Sequence, residues 1–321
     1  MIPPSSIQDG ISIMWFKQAS FFELSKSFSS NQQALSDALA PLSFTPCLPS
    51  LPSSIGWVSP VGQSEEQLVY GSKRFWMICL QFEEKLLPAS VIRQSLAEKI
   101  EQIEKQESRV VRGKEKQSLK DEITQTLLPK AFTKKMQIHA YIDIERRLLI
   151  VNSNSAAKVE RFVAFFKRAI APATLSAIEV KKPSAIMTNW LKESAPNDFS
   201  IGQSGVLQDP QQQRRMIRCQ HQDLLALGVQ TFLKEGCEVA QLALHWKDQL
   251  QFILSADFSL KRIQFQEAVL ALSKADYTET PQQQFDADFV IMTEIMSQMI
   301  DDLFAEFSQV ENKVKLLEAV A

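Results

Sequence analysis

Two amphipathic stripes joined by a basic break set the main constraint on how this chain folds. Ile92, Leu96, Ile100 and Ile103 recur at helical spacing. The run Arg109-Val-Val-Arg-Gly-Lys-Glu-Lys116 interrupts them, and Leu119, Ile123 and Leu127 form a second stripe that Pro129 stops. Ser118, with Asp121 three residues on, is a weak capping box that places the start of the second helix there. The pattern predicts two antiparallel helices with a charged tip, and strand-like segments on either side make the pair an insertion projecting from a sheet. Positions 91–135 hold eleven Lys/Arg against seven Asp/Glu, a local net charge of +4 on a chain whose total is -2. Segregated charge of this kind marks the place to look for a polyanion.

The totals exclude several classes. A chain of 321 residues, 45% hydrophobic and 22% charged, can bury large cores and divides most naturally into two or three domains. No window has the run of about 18 apolar residues that a membrane span needs, and residues 1–13 lack the basic start and apolar core of a signal peptide. A cytoplasmic protein is expected. Cys47, Cys79, Cys219 and Cys237 have no metal-ligand spacing and read as reduced thiols. Nine glycines without a G-x-G-x-x-G or G-x-x-x-x-G-K-[ST] run argue against a nucleotide-phosphate loop. Only His139, His221 and His245 are present, which leaves few candidates for histidine-based catalysis or metal binding. No cofactor is expected.

In chain order, residues 1–13 read as a flexible extension. An N-terminal α/β unit follows over 14–87: an aromatic strand with Trp15, Phe16, Phe21 and Phe22; a helix capped by Ser30 and Gln33 and ended by Pro41; a loop over 43–62; and a hairpin turning at Gly71-Ser72. The basic helical arm occupies 88–135. A first hairpin-helix unit spans 136–182, with alternation at Ile142, Ile144, Leu148 and Ile150 around Glu145-Arg-Arg147, then a helix bearing Val159, Phe162 and Phe166. The same pattern returns about a hundred residues on, with Leu244, Trp246, Leu250 and Phe252 around Lys247-Asp-Gln249. This second unit, 183–321, begins with a polar, Gln-rich stretch over 194–213. It ends in a long amphipathic helix carrying Phe285, Phe289, Met292, Met296, Met299, Leu303 and Phe307. That stripe reads as core, with a dimer face as the alternative.

Three candidates carry chemistry. Asp286 and Asp288 resemble the paired carboxylates of a metal-dependent nuclease, yet two positions on a helix differ by about 200°, so the side chains diverge. His245 faces away from Leu244 and Trp246 by strand alternation and has no nucleophile motif beside it. The basic clusters are the third: the arm, six bases against two acids over 158–182, and Arg214, Arg215 and Arg218. Without a base-reading motif, phosphate contact independent of sequence is the expected mode. A protein-only assembly factor remains the competing reading.

Several strings are more specific. Met14-Trp-Phe-Lys17, Ser43-Phe-Thr-Pro-Cys47, Gly56-Trp-Val-Ser-Pro-Val-Gly62, Glu83-Glu-Lys-Leu-Leu-Pro88, Ser118-Leu-Lys-Asp-Glu122, Leu127-Leu-Pro-Lys-Ala-Phe132, Ser259-Leu-Lys-Arg262 and Phe285-Asp-Ala-Asp-Phe289 occur in order. Together they closely resemble the bacterial recombination-associated RdgC family. The resemblance implies an α+β fold of antiparallel sheets with packed helices and a projecting helical-hairpin arm, assembled as a ring-shaped homodimer. It implies a non-enzymatic, nucleoid-associated protein that encircles double-stranded DNA without sequence preference and restrains RecA-dependent recombination. Carried over by position, Phe132 is the expected contact between subunits. Arg109, Arg112, Lys114, Lys116 and Lys120 are the expected phosphate contacts near it, and the 218–222 segment, with Arg218, His221 and Gln222, is a second element reaching the duplex. There the chain departs from the family pattern: Gln220-His221 stands where consecutive lysines would precede Gln-Asp-Leu, and an imidazole strengthens phosphate contact only when protonated.

Overall fold

A computed structural model describes residues 15–62, 67–178, 180, 182–196, 198–212, 214–275 and 280–320. The 1–13 extension, with Met14, Glu179, Lys181, Asn197 and Gln213 of the stretches singled out above, lies outside the described residues. The first part of the chain runs β1 (Gln18–Leu24), α1 (Gln32–Leu39), β2 (Ser53–Val58), β3 (Val69–Ser72) and β4 (Phe75–Leu86). Two helices follow, α2 (Ala89–Glu107) and α3 (Gly113–Leu127), then β5 (Phe132–Asp143), β6 (Leu148–Val151), α4 (Ala156–Ile170) and β7 (Leu175–Ala177). The second part runs α5 (Pro183–Lys192), β8 (Phe199–Gln208), β9 (Met216–Cys219), α6 (Leu227–Lys234) and β10 (Glu238–Trp246). It closes with β11 (Leu250–Ser255), β12 (Leu260–Phe265), α7 (Glu267–Ala275) and α8 (Pro281–Val320).

The strands form one sheet in the order β2-β4-β5-β6-β1-β12-β11-β10-β8-β9, with β3 added to β4 and β7 to β1. The named pairings are antiparallel, so the expected α+β class holds. The order places the β5/β6 and β10/β11 hairpins at matching positions on either side of the β1/β12 seam. That seam is short, with only Gln18 opposite Lys261 and Ala19 opposite Leu260. Helix α8 braces it from one face. Phe285 packs edge-on against Tyr70, and Phe289 against Tyr70 and Tyr141 in the first half. Phe304 and Phe307 pack on Phe258 in the second, where Phe307 also meets Trp190. Burial of the whole Phe/Met stripe confirms that it is core.

Polar groups hold the same brace. Asp143, 2% exposed, accepts from Arg146 Nη1 at 2.9 Å and Ser297 Oγ at 3.3 Å and lies 3.8 Å from Arg74 Nε. Arg146 also pairs with Asp301, and Arg74 with Glu294, which ties both hairpin turns of the first half to α8. In the second half Asp302 accepts from Trp246 Nε1 at 2.9 Å and Lys247 Nζ at 2.7 Å.

The opposite face differs between the halves. In the first, Trp76, Ile78, Leu80 and Phe82 of β4 and Ile138, Ala140 and Ile142 of β5 point to a second core closed by α1 and α4, in which Trp57 meets Phe162, Phe165 and Phe166. In the second, no helix among the described residues joins such a core.

The sequence expectations need six corrections. The 43–62 stretch is not all loop: β2 pairs with β4 from Ser53 opposite Glu84 to Val58 opposite Cys79. Gly56 admits this packing, since a Cβ there would lie 2.3 Å from the Phe44 backbone. The β3/β4 turn falls at Lys73-Arg74, where Lys73 takes φ 52°, because Gly71 and Ser72 are paired in β3. Asn31, not Ser30, caps α1, accepting from Ala34 N at 3.1 Å. Helix α3 begins at Gly113 and encloses Ser118, whose hydroxyl donates back to the Lys114 carbonyl at 3.2 Å instead of capping. Finally, the Gln-rich stretch contains β8, and β12 intervenes between the second hairpin and the helix after it.

Candidate nucleic-acid interface

Helices α2 and α3 sit between β4 and β5, which pair continuously from Phe75 opposite Asp143 to Leu86 opposite Phe132. The outer end of this ribbon carries little cover: Leu86 is 50% and Phe132 84% exposed. An aromatic side chain that open at the end of a strand is an apolar contact without a partner inside its own chain.

On α3, Arg112 is the N-terminal flanking residue, and it, Lys114, Lys116 and Lys120 are all exposed. Lys116 and Lys120 lie one turn apart on a shared face. Among the described residues, none of these four has a carboxylate within ion-pair distance. Arg109 differs. It is clamped by Glu107 at 2.6 Å and by both oxygens of Glu115 at 2.6 Å. Those hydrogen bonds, Glu115 first, raise the guanidinium above its ordinary range and hold the Glu115 carboxyl below the usual carboxylate range. Arg109 therefore orders the α2–α3 connection, with its charge already matched.

The second predicted element is β9 with the turn after it. Arg218 stands opposite Val206 of β8 with an exposed side chain. Arg215 pairs at 3.6 Å with Asp209 and with Glu235, so the Arg214/Arg215/Arg218 cluster divides into matched and unmatched charges. His221 takes φ 52° in the turn, and Gln222 N–H donates to the Gln203 carbonyl at 3.2 Å. Both side chains are exposed. Leu225 and Leu227, just beyond, are 56% and 76% exposed.

Arg218 also lines a recess of about 610 Å³ on the uncovered face of the second half-sheet, shared with Lys17, Lys261 and Arg262. None of the arm cations lines it. Sequence reasoning missed these three: Lys17 and the Ser259-Leu-Lys-Arg262 string entered only as matched letters. Two adjacent bases next to a strand end were the available signal.

The carboxylate candidate comes apart. Asp286 is exposed and accepts from the Tyr70 hydroxyl at 2.6 Å; burial, reinforced by that contact, pushes the Tyr70 hydroxyl up. Asp288 is 4% exposed and accepts from Gln284 at 3.1 Å. The two face opposite sides of α8, as helical geometry requires. Among the described residues no group of three or more His, Cys, Asp or Glu is placed to hold a metal ion. No helix there is long and apolar enough to cross a membrane. His245 is half-buried between Leu244 and Trp246, which are fully buried on the other face.

Comparison with known proteins bears on the whole chain. A family model described as "Putative exonuclease, RdgC" matches residues 14–310. A recombination-associated protein RdgC from Aeromonas hydrophila is 34% identical over 303 residues, covering 94% of this chain and all of the relative. The proteins of that name from Proteus mirabilis and Shewanella oneidensis are 34% and 37% identical, over 90% and 87% of this chain and 96% and 92% of their own lengths. With colinear similarity of this extent, the chain belongs to the RdgC family.

Proposed function

We propose that this protein binds double-stranded DNA without sequence preference, closes around it as a homodimeric ring, and thereby restrains RecA-dependent recombination in the nucleoid. The observation that carries the proposal is the set of exposed, carboxylate-free cations on α3 (Arg112, Lys114, Lys116, Lys120) and β9 (Arg218). Such side chains contact phosphate oxygens and release condensed counterions, a gain that every duplex sequence offers equally. The arm acts as a gate, with Arg112, Lys114, Lys116 and Lys120 near its tip. Arg109 orders the arm, and His221 and Gln222 approach the backbone from the β9 turn.

Two chains that enclose a hole need two self-complementary contacts. Exposed apolar groups stand at two separate places: Phe132 with Leu86 at the outer end of the β4/β5 ribbon, and Leu225 with Leu227 beyond β9, the last strand of the order. Each can meet its own copy across a two-fold axis. Duplex occupied in this way is withheld from the recombinase, with no bond made or broken and no catalytic residue required.

Salt titration tests binding. Affinity for two duplexes of unrelated sequence should fall steeply and in parallel with log[salt], and absence of duplex binding at low salt overturns the proposal. Phe132→Ala should lower the oligomeric mass in solution and speed loss of protein from circular duplex; unchanged mass and retention would remove Phe132 from the closure. Mg²⁺-dependent cleavage abolished by Asp286→Asn with Asp288→Asn would replace binding with nuclease chemistry, and no cleavage is expected.

A further inference from the structure

The uncovered face of the second half-sheet holds a feature that neither the arm nor the β9 turn explains. Leu260 and Ile263 of β12 both point into the core on the α8 side although they are three residues apart, which strict alternation forbids. The pairing register with β11 slips between Gln251 opposite Gln264 and Ile253 opposite Lys261, so one residue of β11 faces two of β12. This is a β-bulge, and its extra residue turns Lys261 and Arg262 out together on the open face. Arg262 sits there at φ 51°, a conformation that glycine adopts without strain and arginine rarely.

The bulge also fixes a third cation. Ile263 N–H donates to the Lys17 carbonyl at 2.9 Å, which holds Lys17 beside Arg262. Arg218 enters the same recess from β9, at the far edge of the half-sheet. Four cations therefore line a trough that no carboxylate lines, and none of them is in an ion pair among the described residues. Amide groups, including those of Asn154 and Gln241, complete the wall.

The geometry points to a phosphate-recognition site at the β1/β12 seam, built by the bulge from Lys17, Lys261 and Arg262 and extended by Arg218, whose ligand is the backbone of a nucleic-acid duplex. Four strand-to-strand steps separate β12 from β9. At about 4.8 Å each they span roughly 19 Å along the sheet. Cations at both ends of such an open trough suit successive phosphates of a polyanion better than one small anion. The amides can donate to phosphate or sugar oxygens without reading bases.

Identification of the ligand as duplex rests on the function proposed above, and the test separates the two. Salt dependence of binding to two unrelated duplexes is measured for the full chain, for Lys261→Gln with Arg262→Gly, and for Lys261→Arg with Arg262→Lys. Glycine keeps the bulge conformation, so the first variant should fold with an unchanged melting temperature. Its slope of log affinity against log[salt] should shrink by about 3.6 for the dimer, from two lost contacts in each subunit at about 0.9 each, equally on both duplexes. The charge-conserving variant should keep the original slope. An unchanged slope in the charge-removing variant overturns the site while leaving duplex binding intact. If the unaltered protein binds no duplex, the functional proposal fails and calorimetry with inorganic pyrophosphate decides. Saturable binding lost in the glycine variant supports phosphate recognition, and absence of binding by the unaltered protein overturns it.

Discussion

The two halves of the sheet share a strand order and differ in cover. The half built on β4 and β5 is buried on both faces, by α8 on one side and α1 with α4 on the other. The half built on β8, β10, β11 and β12 is buried on the α8 side alone. The residues follow that difference. Phe75 to Phe82 is a nearly unbroken apolar run, as a doubly covered strand requires, whereas β10 alternates buried and partly open positions. Even the histidines divide: His139 on β5 is 6% exposed, and His245 on β10 is half-buried on the open face. A sheet covered twice has its side chains committed to packing. A sheet covered once keeps a face on which Lys, Arg, Gln and His can be held rigidly and still meet a ligand.

Truncation of one strand residue in each half tests this contrast most severely. Phe82→Ala, in the doubly covered half, should cost about 3–5 kcal/mol of unfolding free energy by denaturant titration. Gln251→Ala, on the open face of β11, should stay within about 0.5 kcal/mol. Equal losses would mean that the open face is packed as tightly as the closed one. Next in size is the ionic brace. Asp143→Ala leaves two arginines facing a buried gap and should cost about 3 kcal/mol. Retained stability would show that apolar contacts with α8 alone hold the halves together.

How far the sequence carried follows from the same division. The hairpins around Glu145-Arg-Arg147 and Lys247-Asp-Gln249, the α4 face and the α8 stripe were legible because periodicity within one segment decides them. β2 and β8 were not. Each is polar or rich in Pro, Gly and Gln, and becomes a strand only because a distant neighbour supplies its hydrogen bonds: β4 for β2, and β10 for β8. The arm cations could be found by counting charge, but counting could not separate Arg109, matched by Glu107 and Glu115, from its free neighbours. The seam recess was hidden because its four cations come from positions 17, 218, 261 and 262. A one-residue register slip aims two of them, and no local pattern announces such a slip.

Acid tests how tightly the first half is closed. Burial pushes the His139 imidazole down to about 4, only partly offset by the Pro60 backbone. Since the folded state resists the proton that the unfolded chain takes up near 6.5, this contribution is complete above about pH 6.5 and is lost as pH falls toward 4. The loss should reach about 2 kcal/mol by pH 5. The unfolding free energy of the native protein minus that of His139→Gln, followed from pH 7 to 5, isolates it. A flat difference would show that the site admits water and that the first half is less tightly closed than its packing implies.

The smallest effect is expected on the open face. Gln241→Ala with His245→Ala removes two half-buried polar groups from β10, neither of which bonds through its side chain to another described residue. It should change stability by no more than about 0.5 kcal/mol at pH 7. A loss well above 1 kcal/mol has a specific meaning if it grows with protein concentration. Only contact with a second chain gives stability that mass-action dependence. The face would then be covered in the assembled protein, the seam cations would lie in a subunit interface, and the contrast between a closed and an open half would hold for the single chain alone. A concentration-independent null result leaves the face free for the duplex.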